Sequence, residues 1–359
     1  MSEKLRKEVV LEALKKVQEP ELNKDLVSLG MVKDLSITDG EVEFTIQLTT
    51  PACPYRENIK GDAKQAVEAL DGVSAVTVHL SADVPTSSPQ GDLGGNHIRN
   101  AVAVASGKGG VGKTTVAVNI AVALANAGAS VGLLDADIYG PNVPTMMGVD
   151  KIPPPKENLL VPAESYGVKI ISIGFLVSPE QPLIWRGPML HSAIRQFINE
   201  VDWGDLDYLI VDLPPGTGDA QLSLAQSMPL SGGIIVTLPQ KISLEDARRG
   251  LEMFRAMDVP VLGIIENMSY LELPDGSKVD IFGEGGGETL SQATGVPLMG
   301  SIPMEPAVRE GGDEGVPIVI SKPDSKVALA MTEIAEELAA AVSLHALGNR
   351  EDLEIEMLD

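Results

Sequence analysis

The stretch SGKGGVGKTT, residues Ser106–Thr115, decides the fold. It follows the apolar run Ala101–Ala105 and leads straight into a helical pattern. Within it Gly107, Gly112, Lys113 and Thr114 satisfy G-x-x-x-x-G-K-S/T. Phosphate oxygens must be met by several backbone N–H groups at once, and only a glycine-rich turn lets a chain curl that tightly. The N-terminus of the following helix adds partial positive charge. Gly107, Lys108, Gly109, Gly110, Val111, Gly112, Lys113, Thr114 and Thr115 are therefore the expected ATP-binding residues. Lys113 is expected to reach the terminal phosphates, and the Thr114 hydroxyl to bind Mg²⁺. A chance glycine-rich turn would lack the strand before it and the helix after it.

Outward from this loop, apolar runs without period-2 alternation recur at Val131–Leu134, Tyr208–Val211, Ile234–Leu238 and Val261–Ile265. Strands buried on both faces read this way, so residues 98–345 are expected to form a doubly wound, mainly parallel α/β ATPase domain. Carboxylates at the ends of parallel strands point into the crevice where ligands bind. Val131–Leu134 runs into DADIYGPN, where Asp137 is expected to orient or deprotonate the attacking water and Asp135 to support Mg²⁺ or its waters. Each aspartate alone also suits a helix cap or turn. Tyr208–Val211 runs into DLPPGTGD, and Asp212 stands where a carboxylate holds Mg²⁺ through water. The rigid-then-flexible segment Pro214–Gly218 suits a sensor of the γ-phosphate. Val261–Ile265 runs into ENMSY, whose Asn267 either reads an adenine edge with its amide or is a turn asparagine.

Residues 1–85 read as a small α+β domain, with helices over Glu3–Val17 and Asn58–Leu70 and strands over Gly40–Leu48 and Ala75–Leu80. The Ser-, Pro- and Gly-rich stretch TSSPQGDLGGN marks a linker over residues 86–97. Residues 346–359 read as an acidic tail.

The 359 residues carry 27 basic and 51 acidic side chains, a net charge of −24. This balance argues against nucleic-acid binding and against docking on an anionic membrane. It fits either a halophilic surface in a salt-rich cytoplasm or an ordinary acidic, solvated one. Cys53 is the single cysteine, so one chain can form neither a disulfide nor an all-cysteine metal site. MSEKLRKEVV lacks the apolar stretch of a signal peptide, and the apolar helix Thr115–Ala127 is too short to span a bilayer. A soluble, cytoplasmic protein is expected.

With these motifs in place, residues 100–344 resemble the Mrp/ApbC family of iron–sulfur cluster carrier ATPases, within the MinD/ParA-like deviant P-loop class. The resemblance rests on SGKGGVGKTT, DADIYGPN, IWRGPM at Ile184–Met189, WGDLDYLIVDLPPGTGD at Trp203–Asp219, ENMSY and IFGEGGGE at Ile281–Glu288. The N-terminal part, through SLGMVKDL and TTPACP, resembles the iron–sulfur-assembly domain often fused to Mrp. The resemblance implies a homodimer that binds ATP and Mg²⁺, hydrolyses ATP slowly and passes iron–sulfur clusters to apoproteins or works with assembly factors. It also implies that Lys108 reaches the partner subunit's nucleotide and acts like an arginine finger; with Lys113 of the loop motif and Asp137 of the strand end, Lys108 completes the expected catalytic set. One departure stands out. Where the family carries C-P-x-C after ENMSY, this chain has Leu273 and Gly276 around Pro274, and neither offers a side-chain ligand for iron. Cys53, close to Arg56 in TTPACPYR, is then either a cluster ligand or reactive thiol, or a small buried apolar filler. Two functions follow: a cluster carrier using Cys53 or a partner's ligands, or a nucleotide-switched adaptor that holds no cluster.

Overall fold

The computed structural model describes residues 5–87, 96–138, 140–175, 187–218, 221–222 and 225–356. The chain divides into two compact units, Met1–Pro85 with Ser343–Asp359, and Thr86–Val342.

In the first unit a helix at Lys7–Leu14 precedes the short antiparallel pair β1 (Gln18–Glu19) and β2 (Lys24–Asp25). A sheet of β3 (Val32–Thr38), β4 (Glu41–Leu48) and β5 (Ala75–Ala82) follows, in the order β3-β4-β5. The EVEFTIQL alternation of β4 buries Val42, Phe44, Ile46 and Leu48 on one face. β4 and β5 run parallel, and the helix Arg56–Glu68 lies between them in the chain. β3 escapes a reading by alternation. Its ladder slips between Lys33 and Ser36, where Asp34 takes a φ of 50°, and the period-2 pattern breaks there.

The second unit holds β6 (His97–Ala105), β7 (Val131–Asp135), β8 (Ala163–Ser165), β9 (Val168–Ser172) and β10 (Asp205–Asp212). It continues with β11 (Gly232–Thr237), β12 (Val261–Glu272), β13 (Lys278–Val279) and β14 (Leu298–Met304). Among the described residues these make one sheet, with parallel pairing along β14-β12-β11-β6-β10-β7-β9 and antiparallel additions of β13 to β12 and β8 to β9. This is the doubly wound, mainly parallel arrangement expected from the apolar runs. Trp203, Phe197 and Phe254 are fully buried in its core, and the Trp203 indole N–H donates to the Phe197 carbonyl at 2.8 Å. Each such ring contributes about 1.5–3 kcal/mol by burial.

Two boundaries differ from expectation. Residues 88–95 of the expected linker lie outside the described residues, but both flanks are tied into the second unit. The Ser87 hydroxyl donates to Asn100 Oδ1 at 2.7 Å, and buried Asn96 donates to the Val201 carbonyl at 2.8 Å and accepts from Gly204 N at 3.1 Å. At the other end the helix Lys326–Glu356 continues through residues 346–356, which were expected to belong to an acidic tail. AEELAAAVSLHAL has the helix-forming composition that sustains it.

Candidate active site

β6, central in the sheet, ends at Ala105 and delivers the chain into the phosphate loop, which closes on the helix Lys113–Asn126. Two glycines are dictated by their surroundings. A Cβ on Gly107 would lie 2.2 Å from the main-chain carbon of Asp246, so the loop passes too close to the helix Lys241–Ala256 for any side chain. Gly112 adopts a φ of 83°, and a Cβ there would meet Asn267 Nδ2 at 2.2 Å. The loop lines a cavity of about 720 Å³, large enough for a nucleotide.

Strand register gathers the polar residues. Ser172, Asp135, Asp212 and Val104 are register partners along one row across β9, β7, β10 and β6, at the edge from which the phosphate loop emerges. The Lys113 ammonium is buried against this row. It donates to Asp212 Oδ1 at 2.6 Å and lies 3.7 Å from Asp137 Oδ2. The Thr114 hydroxyl donates to the other Asp212 oxygen at 2.7 Å. Burial pushes the Asp212 carboxyl above the usual carboxylate range, while the Lys113 charge and the bonds from Lys113 and Thr114 pull it back down. Burial, and then the charge of Asp212, push Asp135 up to about 7.

Asp137 and the loop residues Lys108–Thr115 face the cavity. The oxygens of Asp135 accept from the Ser172 hydroxyl at 2.9 Å, Asp137 N at 3.1 Å and Val143 N at 3.3 Å. Fully buried, Asp135 braces the loop that presents Asp137. Ser172, its partner from β9, is announced by no motif in the five residues VKIIS. Asn267 lines the cavity, and its amide nitrogen donates to the Val111 carbonyl at 2.8 Å, so this donor braces the phosphate loop. The apolar part of the cavity, with Met268, Pro303, Met304 and Met331, comes from β12, β14 and the last helix, and no motif announces it.

Lys108 is half-buried, and its ammonium donates to Gln240 Oε1 at 3.2 Å. In the segment after β10, Gly216 N donates to the Ser106 carbonyl at 2.9 Å, and Pro215 lines the cavity. Tyr139, Ile184–Arg186 and Asp219 of the quoted motifs lie outside the described residues. Cys53 is buried in the first unit's core and is not part of this cavity. Leu273 and Gly276 sit in the tight turn between β12 and β13, where Gly276 N donates to the Leu273 carbonyl at 2.9 Å. No helix among the described residues is long and apolar enough to cross a membrane.

A central parallel strand feeding a glycine cradle, with a lysine, a threonine and strand-end aspartates behind it, defines a P-loop NTPase. Residues 97–339 match the family model "NUBPL iron-transfer P-loop NTPase", and residues 7–80 match "Iron-sulfur cluster assembly protein". The chain is 54% identical over 352 residues to the "Iron-sulfur cluster carrier protein" of Synechocystis sp., covering 96% of this chain and 99% of that one. Among solved structures, a nucleotide-binding protein of Archaeoglobus fulgidus in complex with ADP is 37% identical, with a TM-score of 0.55, covering 61% of this chain and 87% of that one. The septum site-determining protein MinD of Pyrococcus horikoshii, complexed with Mg-ADP, is 26% identical, with a TM-score of 0.54, covering 68% and 98%. The chain belongs to the family of NUBPL-type iron-transfer P-loop NTPases, with an iron–sulfur cluster assembly domain preceding the NTPase.

Proposed function

We propose that this protein is an ATP-hydrolysing iron–sulfur cluster carrier that works as a cytoplasmic homodimer, binding clusters and delivering them to apoproteins. The observation that carries the reading is the buried Lys113–Asp212–Thr114 constellation beside Asp137, in a chain aligned almost end to end with a cluster carrier.

The residues suit ATP with Mg²⁺. The loop offers backbone N–H groups to the phosphates, and Lys113 adds a charge already desolvated for them. Thr114 and Asp212, joined by one hydrogen bond, would hold Mg²⁺ between them, and that ion would neutralise charge on the β- and γ-phosphates. Releasing Asp212 frees the Lys113 ammonium to turn toward the phosphate. Asp137, on the cavity side of the row, is the acceptor for a proton from the attacking water. Lys108 is half-buried where the loop lines the cavity, and among the described residues its ammonium is bonded to neutral Gln240, so it can exchange that bond for a nucleotide held by a second copy. Hydrolysis then depends on dimerisation and is slow in its absence.

The test is anaerobic reconstitution with iron and sulfide, followed by visible absorption and iron and sulfide analysis, with ATP turnover measured on the same sample. A retained cluster and measurable turnover are expected. Turnover without any retained cluster would overturn the carrier reading. Leu273 and Gly276 would account for that second outcome, because the turn they occupy offers no thiolate. In that case the chain would be a nucleotide-switched adaptor, recruiting assembly partners in an ATP-dependent way.

A further inference from the structure

The one thiol of the chain has two acidic neighbours in its own unit. β1 and β2 are joined by a turn that Asn23 closes, with its N–H donating to the Glu19 carbonyl at 3.0 Å. The Glu19 side chain folds into this turn, and its Oε2 accepts Leu22 N at 2.5 Å. The loop after β4 carries Cys53, and Arg56 N donates to its carbonyl at 3.3 Å. These two loops bring a carboxylate oxygen of Glu19, one of Glu21 and the Cys53 sulfur within 4.8 Å of one another.

A second observation, independent of that spacing, asks for a cation. Glu19 is only 3% exposed, and no lysine, arginine or histidine among the described residues pairs with it. Its partners are main-chain N–H groups of the turn, and no cationic side chain among the described residues offsets its charge. A carboxylate buried in this way is favoured by a metal ion's positive charge beside it. A metal ion answers both this demand and the thiol's, since coordination holds sulfur as thiolate and releases its proton to solvent. Glu21 is half-buried and gives the ion a way in.

We propose that Glu19, Glu21 and Cys53 form a three-ligand site for a single divalent first-row transition ion of the Fe²⁺ or Zn²⁺ type, with a fourth position open to an exchanging ligand. A mixed thiolate and carboxylate set selects such borderline ions over Mg²⁺ or Ca²⁺, which take oxygen alone. Bond lengths of about 2.0–2.3 Å put tetrahedral donors about 3.5 Å apart, so binding draws the two loops together by about 1 Å at most. The site is separate from the nucleotide cavity and stands whether or not the chain carries a cluster.

The test is anaerobic titration of the metal-free full chain with Co²⁺. Cys53 is the only cysteine, so any thiolate-to-cobalt charge-transfer band reports this site alone. A near-ultraviolet band saturating at one equivalent and displaced by Zn²⁺ is expected. Cys53→Ser should abolish it, and Glu19→Gln and Glu21→Gln should each weaken cobalt binding about tenfold or more. Thermal melts of the metal-free variants check that they fold. If Glu19→Gln does not fold, Glu21→Gln, at the half-buried position, decides the matter. No band in wild type, a band that survives Cys53→Ser, or unchanged affinity in Glu21→Gln would each overturn the proposal.

Discussion

Replacing Lys113 with methionine removes the buried cation that, among the described residues, faces the carboxylate row, and the cost should depend on pH. The ammonium lies 2.6 Å from Asp212 and 3.7 Å from Asp137. At an effective dielectric of about 20 the closer pair attracts by about 6 kcal/mol. Part of that offsets the desolvation of the lysine itself, so breaking the pair should cost about 3–5 kcal/mol. For a unit of this size each kcal/mol moves the melting temperature by about 2–4 °C, which predicts a loss of roughly 6–20 °C near pH 8. Acid should relieve it. Burial already holds Asp212 above its usual range and Asp135 at about 7; the Lys113 charge is the main pull downward on Asp212, and on Asp135 it adds to the larger pull of the bonds from Ser172 and Asp137 N. A carboxyl raised in the folded state gives stability that is complete below its unfolded value and lost as pH rises through its folded value. Wild type should therefore lose stability from about pH 4 to 7 through Asp135. Lys113→Met extends that loss to higher pH. Acidification from pH 8 to pH 6 should therefore shrink the deficit, by at most about 1.4 kcal/mol for each pH unit over which a carboxyl of the variant takes up its proton and that of the wild type does not. Calorimetry of nucleotide-free protein across this range is the assay. A variant melting within about 2 °C of wild type at pH 8, or a deficit that grows on acidification, would refute the electrostatic reasoning.

Three further outcomes are expected. Lys108→Ala should keep ATP affinity within a few-fold while phosphate release falls by roughly a thousandfold, because only the trans contact to the developing charge is lost. Unchanged steady-state turnover would rule that contact out. Gly107→Ala should cost about 1–3 kcal/mol and abolish detectable ATP binding by calorimetry, since its Cβ has no room against the Asp246 main chain. Asn267→Ala should lower apo stability by about 1 kcal/mol and weaken ATP binding, through loss of the brace on Val111 rather than of a base contact. A switch in preference from ATP to GTP in that variant would instead support the adenine-reading role.

The phosphate loop was legible in the sequence because its chemistry is local. Strand, glycines, lysine and helix follow one another within a few residues, and backbone curvature demands that order. Asp137 and Asp212 were legible because each directly ends or follows an apolar strand. What the strands bring together was not legible. Asp135 and Ser172 become neighbours only once β9 lies beside β7, and nothing in either segment fixes that pairing. The same holds for Asn267, whose amide meets Val111 only after β12 packs near the loop. β3 was hidden for a local reason, since the left-handed Asp34 shifts its alternation in mid-strand. The Glu19–Glu21–Cys53 group joins two loops that are separated in the chain by the three strands β2, β3 and β4, so sequence spacing alone does not point to it.

The central claim is that this NTPase carries clusters and that its nucleotide site governs their delivery. The most direct measurement is anaerobic transfer from the reconstituted protein to an apo-ferredoxin, followed by the circular dichroism of the holo-acceptor, with and without Mg·ATP and for wild type beside Lys113→Met. Transfer by wild type at a rate that responds to ATP, with no response to ATP in Lys113→Met, is the expected result. No transfer from wild type, or transfer equally indifferent to ATP in both proteins, would contradict the account.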